Sequence, residues 1–370
     1  MKQKSVVFDF PTESIQLTLR ELLDRNTSSD ADVIKNVSSI CKWWCETNKP
    51  LEISTSGSTG HPKNILFERT AIKGSIDLTA QAFGLREGMT ALLAIDPSFV
   101  GGKMMIIRCI EIGMKVICFA PVSNPMLFLN QRVDFAPLVP LQVNTIIQHP
   151  DTADKIGLLK IILIGGAPLS PVLRSKIEQI HSNTYLGFGM TETLSHIALQ
   201  KIETGQNYFK TLPGISIGTD ERGCLFIEAT HLGKIRIQSN DLVEIKNDNQ
   251  FHWIGRYDRV INSGGIKLFP EVMEEKAGVV IETLNNINGF YFCPLEDHRL
   301  GQKVVLVLTG SKKPEVDDLK NMLELLKAQL ERYEFPKAIY WSNETIKNQG
   351  GKLDRKKTLE QANCIWPISA

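Results

Sequence analysis

The 370-residue sequence has no surplus of either charge. Lys and Arg number 42 against 41 Asp and Glu, a net charge of +1. A nucleic-acid binder needs spare cations to neutralise phosphates, so no nucleic-acid partner is expected, although one bound nucleotide needs only a local site. No stretch reaches 18 consecutive apolar residues, so no spanning helix and no membrane partner are expected. The opening MKQKSVVFDFPTESIQLTLREL lacks a long apolar core and a small-residue cleavage site, and does not read as a secretory signal. The cysteines are few, odd in number (seven) and scattered, several of them inside apolar runs such as IIRCIEI and VICFA. Free thiols in a reducing cytoplasm fit this better than a disulfide framework. Cys41 and Cys45 share a helix face, but no second ligand pair lies near, which argues against zinc. What is present, 42% apolar and 22% charged residues, excludes disorder as the main state. At roughly 150 residues per domain, the length suggests two domains.

Apolar periodicity predicts helices near 13–25 and 31–47, the second carrying Val33, Val37, Ile40, Cys41 and Trp44 on one face. A short strand, Leu51 to Thr55, leads into a glycine-rich loop. Strands and helices then alternate: MTALLAI, KVICFAP and KIILIGG are short apolar runs, with helices over 102–113 and 170–181. That order predicts an α/β fold, its large N-terminal domain built on a mostly parallel sheet. From about 208, GCLFIEA, GKIRIQS, DLVEIKN and QFHWIGR read as antiparallel strands of a small β-barrel-like subdomain. Beyond Asp258 a helix from Pro270 to Glu282, strands FYFCPL and KVVLVLTG, and a helix over 315–332 predict a small α+β C-terminal domain. The expected division is 1–257 and 258–370.

Residues 54–63 read STSGSTGHPK. Gly57 and Gly60 let the backbone approach an oxyanion closely, Thr55, Ser56, Ser58 and Thr59 offer hydroxyl donors, and Lys63 a point charge. The composition alone is equally that of a hairpin turn. It is not the common P-loop, since His61 and Pro62 separate Gly60 from Lys63.

TSGSTGHPK resembles the phosphate-loop motif of the adenylate-forming superfamily of acyl-CoA synthetases, luciferases and peptide-synthetase adenylation domains. Three further motifs follow in that superfamily's order: FGMTET (188–193), GRYDRVINSGGIKLFPEVME (255–274) and GGKLDR (350–355). The resemblance implies an ATP-binding N-terminal domain, a C-terminal domain that takes two orientations, and ATP, Mg²⁺ and coenzyme A as cofactors.

It also implies roles for residues. Thr191 would contact phosphate and Glu192 hold Mg²⁺, a hard cation that seeks oxygen. Gly165, Gly166 and Ala167 would border the adenine, where such sheets bind nucleotides at strand C-termini. Phe188, standing where the superfamily usually has tyrosine, would stack on it. Asp241, in a segment resembling T-G-D, would accept the ribose hydroxyls with help from Arg256, and Asp258 would be the hinge. Gly264 and Gly265 would line the pantetheine tunnel. Lys352 would bridge the substrate carboxylate and the α-phosphate, offsetting the repulsion of two anions. Without the other motifs, Thr191 and Glu192 read as a pair capping a helix, Gly165 and Gly166 as a strand-to-helix turn, Asp241 as a turn residue and Lys352 as a solvated lysine.

For the acid, the expected pocket lies between 96–113 and 187–197. Lys103 and Arg108 stand in an otherwise apolar helix. A cation there is costly unless paired, so it faces an anionic ligand, a buried carboxylate or, on the plain reading, solvent. Ser195 and His196 would line the same pocket. GGKMMIIR, GGAPLS and GMTETLSHIAL are similar to the o-succinylbenzoate–CoA ligases of menaquinone biosynthesis, in short form. Asp96, Pro97, Ser98 and Phe99 stand where many of those enzymes have H-x-S-G. The resemblance implies a cytoplasmic ligase with a small-molecule acid as partner. An acyl-CoA synthetase for another aryl or short aliphatic acid and a non-catalytic nucleotide-binding protein are the alternatives.

Overall fold

A computed structural model of the chain describes residues 6–55, 63–284, 286–347 and 353–367, with Ser54, Thr55 and Lys63 described by their backbone. The α/β class holds, and the parallel strands fall into two groups. A four-stranded sheet carries, in order, Ile15–Thr18, Val7–Phe10, Lys115–Cys118 and Thr90–Leu93. Its last three strands run parallel. The helix Val100–Ile112 connects Thr90–Leu93 to Lys115–Cys118. It is buried on nearly every side, Met104 to Cys109 included, which explains its almost unbroken apolar sequence.

The opening differs from expectation. No helix spans 13–25; Ile15–Thr18 is a strand antiparallel to Val7–Phe10, and only Leu19–Asp24 is helical. Thr18 stops the helix from extending backwards. Its hydroxyl accepts from the Glu21 N–H at 3.3 Å while Glu21 accepts the Thr18 N–H at 2.7 Å, a capping box. The second expected helix is present as Asp32–Glu46, with Val33, Val37, Cys41 and Trp44 buried.

A nine-stranded sheet holds the remaining parallel strands, Ala136–Leu138, Ile162–Ile164 and Thr184–Gly189. It continues without a break into the antiparallel strands His196–Lys201, Phe209–Thr211, Gln250–Arg256, Arg236–Asn247, Cys224–Ala229 and Ile215–Thr219. The expected barrel-like unit is thus the antiparallel half of this sheet. GKIRIQS and DLVEIKN do not form two strands but one, Arg236–Asn247, whose register slips between Leu242 and Val243. A bulge breaks the alternation of side chains and makes one strand read as two.

A third sheet orders Ile266–Leu268, Ile261–Ser263, Gly301–Gly310, Ala338–Ser342 and Asn363–Pro367, with Ile287–Asp297 also paired to Gly301–Gly310. Helices Pro270–Ile281 and Val316–Gln329 cover it with Met273, Ala277, Ile281, Leu319, Met322 and Leu326. All seven cysteines are free, five of them buried. No helix among the described residues is long and apolar enough to cross a membrane.

Candidate active site

The glycine-rich segment is carried on a two-stranded ribbon. Leu51–Thr55 pairs antiparallel with Lys63–Phe67, and Thr55 lies opposite Lys63. The two ends of the loop are therefore held together. Ser56, Gly57, Ser58, Thr59 and Gly60 lie outside the described residues, as does Lys352.

At the C-terminal ends of the parallel strands two turns open. Gly165, Gly166 and Ala167 follow Ile162–Ile164, with Gly166 at φ +90° and Ala167 exposed. The second turn, Thr191–Thr193, follows Thr184–Gly189. Thr193 is fully buried and staples it, accepting from the Met190 N–H at 3.0 Å and donating to the Ser195 carbonyl at 2.8 Å. The return is so tight that a Cβ on Gly189 would lie 2.4 Å from the Ser195 carbonyl oxygen. Leu194, buried, takes φ +66°, a conformation that costs a non-glycine residue on the order of 1–3 kcal/mol. Glu192 projects exposed from this turn, beside half-buried Thr191. No group of three or more acidic, histidine or cysteine side chains among the described residues could hold a metal alone. As one exposed carboxylate, Glu192 could supply Mg²⁺ with a single protein ligand, in keeping with an ion that usually retains several waters.

Three residues past the turn, His196 leads through Thr79 to the residue that the sequence marked as anomalous. Arg108 is 3% exposed, so it does not face solvent. It makes no ion pair among the described residues, and its Nε has no hydrogen-bond partner. Nη2 donates to Thr79 Oγ1 at 3.4 Å, and Nη1 meets only the Met105 sulfur at 3.7 Å. Burial drives its pKa down, to about 10. His196 also reaches Thr79, its Nε2 at 3.4 Å from the same oxygen, and its Nδ1 is 3.2 Å from Ser195 Oγ. Burial, aided by the charge of Arg108, lowers His196 to about 3, so the imidazole is neutral. Arg108, Ser195 and His196 are thus brought together. Lys103 is not: five residues before Arg108, it lies about 140° around the helix.

Thr79 belongs to no motif of the sequence. Its signal is a polar pair, Ser75 and Thr79, one turn apart on the buried face of Arg69–Phe83 that also carries Ile72, Ile76 and Phe83.

In the antiparallel half, Asp241 is buried and sits opposite Arg256. Trp253 Nε1 donates to Asp241 Oδ1 at 3.0 Å, leaving Oδ2 3.8 Å from Arg256. Trp253, Phe188 and Met190 all pack against one apolar cluster around Phe209 and Phe251. The half-buried Phe188 ring meets Phe251 edge-on at 5.1 Å. Arg256 spends two donors on Asp258, at 3.0 and 2.8 Å. Burial works to raise the Asp258 carboxyl, but Arg256 outweighs it and the pKa is lowered.

Gly264 and Gly265, at φ +58° and +84°, form the two-residue turn that joins Ile261–Ser263 to Ile266–Leu268. Both positions need the left-handed region, which accounts for the glycine pair by turn geometry. The last two motifs meet: Arg355 forks onto Glu274, and Glu271 accepts from Arg259 at 2.9 Å.

The family model of AMP-binding enzymes matches residues 51–219. An acyl-CoA synthetase (AMP-forming)/AMP-acid ligase II-like protein from Dyadobacter fermentans is 32% identical, with 92% of this chain and 97% of that one covered and a TM-score of 0.60. The 2-succinylbenzoate–CoA ligase of Lactococcus lactis is 22% identical over 328 residues, 82% of this chain and 69% of the relative. The o-succinylbenzoate CoA synthetase of Bacillus subtilis, solved with its acyl-adenylate intermediate, is 18% identical and shares the fold at a TM-score of 0.69, over 83% of this chain and 68% of its own. This chain belongs to the AMP-binding enzymes, the adenylate-forming acid ligases.

Proposed function

We propose that the chain is an ATP-dependent acid–CoA ligase whose acid carries a second carboxylate, and that this acid is o-succinylbenzoate. The observation that carries the reading is Arg108: a buried guanidinium with no acidic partner among the described residues, joined through Thr79 to neutral His196, three residues past the Thr191–Thr193 turn. A buried charge without a counter-ion is costly. A carboxylate at the far end of the substrate would supply the missing partner. The L. lactis relative, named for the same acid, supports the assignment.

The reaction joins two anions. The reacting carboxylate attacks the α-phosphorus of ATP, giving an acyl-adenylate and pyrophosphate; the CoA thiolate then displaces AMP and leaves the thioester. Thr55, Ser56, Gly57, Ser58, Thr59, Gly60 and Lys63 would cradle the phosphates, Thr191 would donate to them, and Glu192 would hold Mg²⁺. Mg²⁺, when bound, neutralises phosphate charge. Asp241 and Arg256 would take the ribose, and Gly165 to Ala167 with Phe188 the adenine. Lys352 would steady charge as carboxylate and phosphate meet. Gly264 and Gly265 would lie on the thiol side once residues 258–370 turn about Asp258 relative to residues 1–257. The seat of this chemistry would be the cytoplasm.

Pyrophosphate release tests the proposal, measured with ATP, Mg²⁺ and a panel of acids. Release with o-succinylbenzoate, well above that with benzoate or butyrate, supports the dicarboxylate assignment. Equal release with the simple acids shifts the assignment to another acyl-CoA synthetase, and ATP binding without release to any acid favours a non-catalytic nucleotide-binding protein.

A further inference from the structure

We infer that Thr79 is a positioning residue for the acid pocket: its one hydroxyl sets the direction of Arg108 and the tautomer of His196. The inference rests on the reading that this pocket takes the far, anionic end of the acid.

A threonine hydroxyl has one hydrogen and two lone pairs. Thr79 is fully buried, so its partners come from inside the protein. Its hydrogen goes to the Ser75 carbonyl, one helical turn back, at 3.0 Å. Only lone pairs then remain for its two other neighbours. Arg108 Nη2, at 3.4 Å, can only donate. His196 Nε2, at the same distance, must donate too, because an unprotonated nitrogen there would set lone pair against lone pair.

A neutral imidazole has one N–H. With it on Nε2, Nδ1 is an acceptor, and Ser195 Oγ at 3.2 Å is the hydroxyl that donates to it. The chain of donors runs from Ser195 to His196 to Thr79 to the Ser75 carbonyl, with Arg108 joining at Thr79. Thr79 holds one edge of the guanidinium, while Nε and Nη1 remain without an oxygen acceptor among the described residues. With His196 neutral, this cluster carries one positive charge. That matches a carboxylate better than a dianionic phosphate.

The tautomer can be read without turnover. In full-length protein labelled with ¹⁵N-histidine, long-range ¹⁵N–¹H correlation reports which ring nitrogen carries hydrogen, and His196→Gln assigns the signal. His196 is expected as the Nε2–H form in the parent protein. Thr79→Val keeps the shape and removes the acceptor; the Nε2–H form is expected to lose its dominance, and Thr79→Ser to restore it. In turnover, Thr79→Val is expected to raise KM for the dicarboxylate about tenfold or more, the worth of a hydrogen bond to a charged group, with kcat within about twofold. KM for ATP should stay within about twofold.

An Nδ1–H form in the parent protein overturns the inference, and so does a Thr79→Val protein with tautomer and KM both unchanged. If Thr79→Val does not fold, the parent tautomer and Thr79→Ser still decide. Absence of acid-dependent pyrophosphate release would strike the proposed function and leave the tautomer result standing.

Discussion

Arg108 Nη2 reaches the Thr79 hydroxyl at 3.4 Å, across 29 residues of sequence, and the guanidinium meets no carboxylate among the described residues. A cation buried beside neutral groups is costly unless an anion comes to pair with it, and on the proposed function that anion is the second carboxylate of the acid. Replacing Arg108 with a flexible apolar side chain therefore has two expected effects of opposite sign. Arg108→Met should raise KM for o-succinylbenzoate by about 10- to 100-fold, the worth of a charged hydrogen bond, and alter KM for a monocarboxylate far less. The ligand-free protein should become more stable, by about 1 kcal/mol or more, because an uncompensated charge leaves the interior. Steady-state kinetics and urea unfolding check the pair; loss of stability together with unchanged KM would contradict the assignment.

His196 gives a pH signature. Its folded pKa, about 3, lies below the ordinary 6.5, so below about pH 6.5 the unfolded chain takes a proton that the folded protein refuses. The stability that this group contributes is complete above pH 6.5. It falls by about 1.4 kcal/mol per pH unit down to about pH 3. His196→Gln should flatten that part of the profile. Equal pH slopes for the two proteins in urea unfolding would show that the imidazole is not held neutral.

The fork of Arg355 onto Glu274 ties the terminal motif to the helix Pro270–Ile281. Both side chains are less than one-fifth exposed. Removing one partner from such a pair costs about 3–5 kcal/mol, because the other charge is left buried. Glu274→Leu should therefore destabilise strongly, and the double variant with Arg355→Leu should recover much of the loss. A double-mutant cycle by urea unfolding measures the coupling, and additive losses would mean that the pair does not act as a unit.

On the proposed function, Lys352 would act in the first half-reaction and not in the second. Lys352→Ala should slow adenylation by about 10²-fold or more. Thiolysis of supplied acyl-adenylate should be nearly unaffected. Rapid-quench measurement of each half decides, and equal loss in both removes the assigned role.

The alternation of strands and helices was legible because buried strands are short unbroken apolar runs, as in ALLA and IILI. The opening hairpin was not, since four alternating residues in Ile15–Thr18 look like part of a helix period until Thr18 and Glu21 are seen to cap one another. Arg108 was legible as an anomaly: a cation in GGKMMIIRCIEI has to answer to something. Thr79 and Trp253 were not, because their meaning comes from contacts made in the fold. His196 lies 117 residues from Thr79, and the Trp253 indole is identified only by the Asp241 oxygen that it meets.

ATP–pyrophosphate exchange tests the central claim most directly, because it needs only the first half-reaction. With Mg²⁺ and o-succinylbenzoate, labelled pyrophosphate should enter ATP, and Arg108→Met should suppress this at acid concentrations that saturate the parent protein. No acid-dependent exchange in the parent, or exchange in Arg108→Met at the parent rate and the same acid concentration, would contradict the account.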